Sequence, residues 1–417
     1  PGQGEVAATG RVVRVEVTAV GMRFEPSVVH LARGDRLVVE LVNADTTTHD
    51  LVIGTAKSAR VAPGGSTELD VGVLGASILG YCSVVGHRQL GMTFEVVVDD
   101  APAPADPVPA GDDHQHQGHP DGDLPPLSGV LDPVLPALRD ESVHRVTLTA
   151  RELPLEVAPG VWQRRWTFNG SAPGPTLHGR VGDSFEITLV NDGSIGHSID
   201  FHAGSLAPDR PMRTIEPGES LVYRFTATMA GIWLYHCSTM PMSSHIAAGM
   251  FGAVVIEPDG LPAADRSYLL VQSEVYLATR AADAASATEV SADKVNAEQP
   301  DHVVFNGIAN AYDQQPLAAR TGERVRFWVL DAGPNRPASF HIVGARFDTV
   351  WAEGGYQLKQ GEDGFGSTGG GSQVLGLLPA QGGFVEAVFP EPGRYPVVSH
   401  LMVDAERGAH GFVEVSD

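Results

Sequence analysis

The amino-acid sequence predicts an all-β protein in which one β unit occurs three times. Glycine and proline contribute 48 and 30 of the 417 residues, and short runs rich in valine and leucine recur between Gly, Pro and Asp turns. Such runs are typical of strands rather than helices. A chain of this length also exceeds what a single hydrophobic core organises, so we expect several domains.

Two repeated patterns define the unit, and each occurs three times. The first is an acidic turn leading into an alternating strand, at residues 34–43, 182–191 and 322–331. The second is a glycine that opens a later strand, at residues 80–82, 231–237 and 393–400. The tripeptide Phe-Asn-Gly occurs only in the second and third copies, at 168–170 and 305–307. We therefore expect these two copies to form a closer pair.

The repeats predict three domains, at residues 1–100, 141–260 and 261–417. Residues 101–140 contain many Pro, Asp, Gly and His residues and few apolar ones. Such a segment cannot bury enough apolar surface to fold alone. We expect it to be a linker between the first domain and the other two.

The net charge, the apolar runs and the first residues of the sequence limit which partners and which location we expect. A net charge of −23 disfavours nucleic acid and anionic membrane surfaces as partners. The sequence has no run of 18 apolar residues, so we predict no membrane span. It opens with PGQGEVAATG and no initiator methionine, from which we expect a processed form of an exported precursor.

The two cysteines each precede a histidine and a methionine, a pattern that favours metal ligation over a disulfide. Two imidazoles, a thiolate and a weak thioether form the ligand set of an electron-transfer copper site. The first copy supplies such a set with His49, Cys82, His87 and Met92. The second copy supplies another with His197, Cys237, His245 and Met250. Met240 and Met242 are alternatives for the last position of the second set.

His236 stands directly before Cys237 and raises the question of a second kind of site. Neighbouring side chains of a strand point to opposite faces. If Cys237 faces one metal ion, His236 therefore faces away from it. The same alternation separates His197 from Asp200 and His202, which predicts a second metal site containing His202 and His236.

The third copy lacks the Cys and Met of the others, so it cannot build an electron-transfer copper site. The pair Ser399-His400 falls where the other copies carry Cys, and we expect His400 to lend a third imidazole across an interface. Three imidazoles with an open position are typical of a catalytic metal centre. Asp200 beside this centre suits proton transfer, and His341, interpreted as the counterpart of His49, is a second candidate acid or base.

Residues 141–417 resemble the copper-containing nitrite reductases through four segments, HSIDFH, YHC…H…GM, SFHIVG…FDTVWAEGG and SHLMVDAERGAHG. Residues 1–100 look like a single-domain blue copper protein fused to this core. The resemblance implies three cupredoxin-like Greek-key β-sandwiches with two type 1 coppers and one type 2 copper per chain. By resemblance, the second ligand set holds a type 1 copper and the catalytic centre is the type 2 copper, bound by His202, His236 and a neighbouring subunit's His400.

The resemblance also implies the reaction and its setting. The family reduces nitrite to nitric oxide with one electron and two protons, and Asp200 and His341 match its proton-donating pair. It works outside the cytoplasm as a homotrimer or larger assembly, with the type 2 copper at the subunit interface. We therefore expect a periplasmic or otherwise exported denitrification enzyme that receives electrons from a small cupredoxin or cytochrome c.

Two other classes remain as alternatives. A multicopper oxidase or laccase reduces oxygen at a trinuclear cluster that needs several His-x-His pairs, whereas the sequence has one, His114-Gln-His116, in the predicted linker. A non-enzymatic copper carrier or storage protein would need the two cysteine-containing sites only. It would not need Asp200, His202, His236, His341 or His400.

Overall fold

A computed structural model describes residues 8–84, 87–88, 92–99 and 131–417. Strands dominate these ranges and the helices among them are short, which confirms the all-β fold class. The chain divides into two compact units, Pro1–Asp123 and Leu124–Asp417. The second unit contains both copies that share Phe-Asn-Gly. His114 and His116, like most of the predicted linker, lie outside the described residues.

The first unit holds two sheets built from nine described strands. These are β1 Val12–Val20, β2 Arg23–Glu25, β3 Val28–Ala32, β4 Arg36–Asn43, β5 Val52–Ile53, β6 Ala56–Lys57, β7 Ser66–Val73, β8 Ile78–Tyr81 and β9 Thr93–Asp99. One sheet has the order β2-β1-β4-β7 and the other β3-β9-β8-β5-β6. The strands alternate as the sequence predicts, and β9 buries Phe94, Val96 and Val98 while its other residues face outward.

The N-terminal half of the second unit repeats this two-sheet arrangement. Its elements are β10 Val143–Ala158, β11 Val161–Phe168, β12 Leu177–Arg180, β13 Ser184–Asn191, β14 Asp200–Phe201, β15 Ser220–Thr226, β16 Gly231–His236, α1 Met242–Ala247 and β17 Phe251–Glu257. The sheets have the orders β11-β10-β13-β15 and β12-β17-β16-β14. As β1 pairs with β4, so β10 pairs in parallel with β13.

The C-terminal half has larger sheets. Its first elements are β18 Arg266–Val275, α2 Ala292–Asn296, β19 His302–Phe305, α3 Ala311–Gln314, β20 Gln315–Arg320, β21 Arg324–Asp331, β22 Ala338–Ile342 and β23 Thr349–Ala352. The remaining elements are β24 Gly355–Lys359, β25 Glu362–Asp363, β26 Leu375–Leu377, β27 Gly382–Val388, β28 Gly393–Ser399, α4 Met402–Glu406 and β29 His410–Ser416. The sheets have the orders β19-β18-β21-β27-β23-β24-β25 and β20-β29-β28-β22-β26.

An apolar interface joins the two halves of the second unit and determines which side chains of strand β16 face the other half. Ile232 and Leu234 pack with Trp328 and Phe384 of the other half in one buried cluster. Tyr235, the residue after Leu234, instead contacts the aromatic rings of Phe168 and Phe201 in its own sandwich. Burial of both faces leaves no freedom of register, because a shift by one residue would exchange the two faces.

No helix in the described ranges is long and apolar enough to cross a bilayer. The expected boundaries near residues 100, 140 and 260 remain predictions.

Candidate metal centres

The first cluster brings together the side chains of His49, Cys82 and His87, all of them buried. The two Nδ1 atoms are 3.1 Å apart, and the Cys82 Sγ lies 3.9 Å from that of His49 and 3.5 Å from that of His87. Donor atoms at such separations can all bond one ion at about 2 Å. The site therefore fits a metal in its geometry and in its mixture of imidazole and thiolate ligands.

Backbone hydrogen bonds hold the loop that carries this cluster. The Cys82 N–H donates to the Met92 carbonyl over 3.1 Å, and the Met92 N–H donates to the His87 carbonyl over 3.0 Å. The far nitrogen of His49, Nε2, lies 3.2 Å from an Asp45 oxygen. A carboxylate on that side of a ligating ring fixes its orientation and tautomer. Met92 is fully buried beside the cluster loop.

The second cluster repeats the first with His197, Cys237 and His245. The Cys237 Sγ lies 3.9 Å from the Nδ1 of His197 and 3.3 Å from that of His245. The same two backbone bonds close the loop, from Cys237 to the Met250 carbonyl over 3.0 Å and from Met250 to the His245 carbonyl over 3.2 Å. Met250 is fully buried, whereas Met240 is exposed, which favours Met250 over Met240 as the fourth ligand.

Strand β11 supplies further contacts around this second cluster. The Trp166 ring meets the rings of His197 and His245 edge-on, with centroids 5.7 and 4.7 Å away. The preceding residue, Arg165, donates from Nη1 to the carbonyl of Ala247 in the ligand loop over 3.1 Å. Gly249 has φ of +120°, and a Cβ there would lie 2.8 Å from the Trp166 carbonyl, so only glycine fits behind Met250.

The protonation of the two cysteines differs. Burial, with Asp50 adding to it, raises the pKa of Cys82 to about 12. Burial opposes ionisation of Cys237 too, but His245 and His197 hold its pKa well below the usual range. Cys237 and Glu152 in turn raise the pKa of His197 to about 9 against its burial. A cation that binds either cluster replaces these protons, since the thiolate and the neutral imidazole are the ligating forms.

The third cluster consists of Asp200, His202 and His236. The Nε2 atoms of the two histidines are 3.1 Å apart, and an Asp200 oxygen lies 3.7 Å from His202 and 4.0 Å from His236. The Nδ1 of His236 is 2.9 Å from the Cys237 carbonyl, which directs its Nε2 outward. Burial and the neighbouring His236 lower the pKa of His202, so its imidazole tends to the neutral form that binds metal.

Strand alternation separates the second and third clusters as the sequence predicts. Tyr235 and Cys237 point into their own sandwich, whereas His236 continues the face on which Ile232 and Leu234 pack against the other half. Asp200 is the cross-strand partner of His236. One peptide bond therefore joins a buried Cys/His/His cluster to a second histidine-containing cluster.

The third copy keeps the hydrogen bonds of the ligand loop but not the ligands. The Ser399 N–H donates to the Ala409 carbonyl and the Ala409 N–H to the Asp404 carbonyl, both over 3.0 Å. These bonds match those of Cys237, Met250 and His245, so Ser399 of the pair Ser399-His400 occupies the position of the cysteine. Asp404 stands where His245 does and binds Arg336 over 2.8 Å, so an ion pair takes the place of the ligand set.

The interpretation of His341 as the counterpart of His49 is wrong in register. His341 pairs with Val398, one residue before Ser399, just as Asp200 pairs with His236, one residue before Cys237. His341 therefore corresponds to Asp200. In the first copy the residue so paired is Val52, opposite Tyr81, which stands one residue before Cys82. The likeness of the segments around His49 and His341 therefore does not follow the strand pairing.

His341 and His400 lie together but apart from the third cluster. Their rings meet edge-on with centroids 5.3 Å apart. The Nδ1 of His341 is 2.6 Å from the Gln373 carbonyl, and His400 is exposed. Of the three clusters of potential ligands in the described ranges, none contains either histidine.

Spacing in the sequence did not reveal Glu152, Arg165 or Tyr223, which contact the clusters from other strands. A Glu152 oxygen lies 3.9 Å from the Nε2 of His197, and the Tyr223 hydroxyl donates to Asp200 over 3.4 Å. Only the tertiary fold brings these residues near the ligands. The contact of Asp45 with His49 could have been predicted from the sequence, because Asp45 stands four residues before His49.

Most of the chain is similar in sequence to known copper proteins. The family described as "Multicopper oxidase" matches residues 150–260. The copper-containing nitrite reductase of Neisseria meningitidis serogroup B (strain ATCC BAA-335 / MC58) is 34% identical over 308 residues, which are 71% of this chain and 76% of that protein.

Solved structures extend the similarity to the fold. Copper nitrite reductase from Nitrosomonas europaea aligns with a TM-score of 0.58 and 32% identity, over 66% of this chain and 94% of that one. A multicopper oxidase structure aligns with a TM-score of 0.55 and 28% identity, over 66% of this chain and 89% of that one. About a third of the chain lies outside each structural match.

Proposed function

The chain belongs to the copper-containing nitrite reductases, and from this membership we propose that it reduces nitrite to nitric oxide by NO₂⁻ + e⁻ + 2H⁺ → NO + H₂O. The observation that carries the proposal is the adjacency of His236 and Cys237 in two separate clusters. A site that accepts an electron is thereby linked through one peptide bond to a site of imidazoles and a carboxylate. Electron carriers have no need of the second site.

The donor sets fit copper in two roles. Type 1 copper would be held by His49, Cys82, His87 and Met92, and a second by His197, Cys237, His245 and Met250. Type 2 copper would be held by His202, His236 and the His400 of a neighbouring subunit. Copper would supply one-electron redox chemistry at all three sites and a Lewis acid for a nitrite oxygen at the third.

Asp200 is suited to deliver one of the two protons. Its carboxyl group lies beside the Nε2 atoms of His202 and His236, where a bound anion would sit. The buried Tyr223 hydroxyl donates to its other oxygen over 3.4 Å and holds the group in place. His341 is proposed as the second donor, because its ring contacts His400 and would accompany it to the shared site. The two donors would then come from different subunits.

The wider setting follows from the same family. We propose a homotrimer or larger assembly, because the described residues of one chain contribute two imidazoles to the third cluster. The N-terminal unit is proposed to be a fused blue copper domain that receives the electron from a small cupredoxin or cytochrome c. An exported, periplasmic enzyme of denitrification is the corresponding location and role.

Replacing His202 by alanine tests the function. The purified protein should contain about three coppers per chain, and His202→Ala should lose one of them together with nitric oxide production. The exposed His30 offers a matched control, and His30→Ala should retain both. Nitrite and oxygen consumption are measured in parallel. Rapid oxygen reduction with weak nitrite turnover would contradict the proposal and favour a multicopper oxidase.

Replacing Asp200 by asparagine separates proton delivery from metal binding. Asp200→Asn keeps the shape of the side chain but removes the acid, so kcat should fall about a hundredfold while copper content stays unchanged. The exposed Asp209 provides the control with the same chemical change. Wild-type kcat in Asp200→Asn at full copper content would show that Asp200 is not the proton donor.

A further inference from the structure

We propose that buried charges give the two cysteine-containing sites different electron affinities, so that an electron is held more tightly at the Cys237 site than at the Cys82 site. The inference rests on the copper assignments of the proposed function and deepens them. Two residues carry it, Asp50 beside the first site and Arg165 beside the second.

Asp50 and Ser198 occupy the same place in the two sites, directly after the first histidine. The Ser238 N–H, following Cys237, donates to the Ser198 hydroxyl over 3.1 Å. The Ser83 N–H, following Cys82, makes the equivalent bond to an Asp50 oxygen over 2.6 Å. One loop-to-loop hydrogen bond is thus made to a neutral hydroxyl in one site and to a carboxylate in the other.

The Asp50 carboxylate is fully buried and lies within contact distance of a hydroxyl, a backbone N–H and an ammonium group. The Ser83 hydroxyl donates to its second oxygen over 2.6 Å, and the Lys57 ammonium lies 3.5 Å away. The Lys57 side chain is 54% exposed. Its positive charge is therefore screened by water, whereas the carboxylate acts through protein. A buried carboxylate group therefore lies behind the Cys82 sulfur of the first site.

Arg165 places the opposite charge behind the second site. Its side chain is buried, donates to the Gln163 side chain and the Ala247 carbonyl, and has no hydrogen-bond partner at Nη2. No carboxylate of the described residues lies within ion-pair distance of it. Burial lowers the pKa of Arg165 to about 10, which still leaves the guanidinium charged at neutral pH. Uncompensated buried charges act strongly on their surroundings.

The remaining charges near the two sites do not reverse this difference. Asp45 lies 3.2 Å from the far nitrogen of His49, and Glu152 lies 3.9 Å from that of His197, so each site has one such carboxylate. Arg88 follows His87 but is only partly buried and lies over the Tyr81 ring. The buried charges therefore differ by an additional carboxylate at the first site and a guanidinium at the second.

The consequence for electron affinity follows from Coulomb's law. A nearby negative charge stabilises the more positive, oxidised state of a site, and a nearby positive charge stabilises the reduced state. Asp50 therefore makes the Cys82 site the better reductant, and Arg165 makes the Cys237 site the better oxidant. One electron leaves the first and one arrives at the second, so the transfer balances without another reactant. The direction of transfer leads toward His236.

Single-site variants allow the two midpoint potentials to be measured apart. Cys82→Ala keeps only the Cys237 site, and Cys237→Ala keeps only the Cys82 site. Redox titration of the visible thiolate–copper absorption should show at least a tenfold preference of the electron for the Cys237 site, which is 59 mV for a one-electron couple. Asp50→Asn should raise the potential of the first site, and Arg165→Met should lower that of the second.

Matched variants separate charge from loop structure. Arg165→Lys keeps the charge and should shift the potential less than Arg165→Met. Asp70→Asn and Arg394→Met make the same charge changes at exposed residues of strands β7 and β28 and should leave both potentials in place. Equal or reversed midpoint potentials of the two sites would overturn this inference and leave the proposed function standing. Equal shifts in Arg165→Lys and Arg165→Met would do the same. Absence of the visible absorption in either single-site variant would instead contradict the copper assignments.

Discussion

A chain carrying His400→Ala is expected to lose nearly all nitrite turnover, even though no cluster of ligands in the described ranges includes His400. The reason is that Asp200 is proposed to deliver a proton, which leaves the third cluster of the described residues with two imidazoles as ligands, whereas a catalytic metal is typically held by three protein ligands. The exposed His400 is proposed to complete the site of a neighbouring subunit.

Mixing two inactive chains tests this arrangement. Chains with His202→Ala and chains with His400→Ala are each expected to be inactive alone. In a randomly mixed cyclic oligomer, roughly a quarter of the interfaces would combine an intact His202 with an intact His400 from the next chain. Nitric oxide production and copper content should recover to about that fraction.

The control for mixing is a chain that carries both substitutions. Combined with His202→Ala chains it should restore nothing, because no interface then has both histidines. Failure of the first mixture to recover activity, with mixed oligomers verified by two affinity tags, would show that His400 does not act across a subunit interface.

Replacing Asp331 by asparagine is expected to stabilise the protein by several kcal/mol at about pH 8 and by little at about pH 4. Asp331 is fully buried, and its Oδ2 atom has no hydrogen-bond partner. The equivalent residues Asn43 and Asn191 each donate from Nδ2 to two backbone carbonyls. An amide at position 331 would provide the N–H donor that Asn43 and Asn191 provide at the equivalent positions.

The pH dependence follows from the shifted pKa. Burial, with Glu274 and Asp404 nearby, raises the pKa of Asp331 to about 8. An aspartate in the unfolded chain titrates near 3.9, and each pKa unit corresponds to about 1.4 kcal/mol. The favourable contribution of the protonated group is therefore complete below about pH 4 and is lost as the pH rises through about 8. Asparagine cannot ionise, so its contribution does not change.

Denaturant unfolding at matched copper content, from about pH 4 to about pH 8, checks this prediction. The difference in unfolding free energy between Asp331→Asn and the parent should grow with pH. Asp259→Asn makes the same change at an exposed position and should give a flat difference. A constant or shrinking difference for Asp331→Asn would show that Asp331 is already ionised in the folded protein.

The sequence alone was sufficient to establish the class of the fold and most of the ligands. Turn residues and alternating apolar runs are local properties, and they predicted an all-β chain. Ligand types are also local, so Cys82, Cys237 and the histidines near them could be named from their spacing. The division between Cys237 and His236 followed from the alternation of one strand, and the structure places the two side chains in separate clusters.

Only the tertiary structure decided the register of the third copy and the charges around the ligands. His341 matches Asp200, and Ser399 takes the position of the cysteine, because strand pairing is set by burial of both sheet faces rather than by the likeness of short segments. Arg165 lies behind the second site although it stands 72 residues before Cys237. Which charge is buried beside which ligand depends on packing between distant strands, and no local pattern in a sequence contains that information.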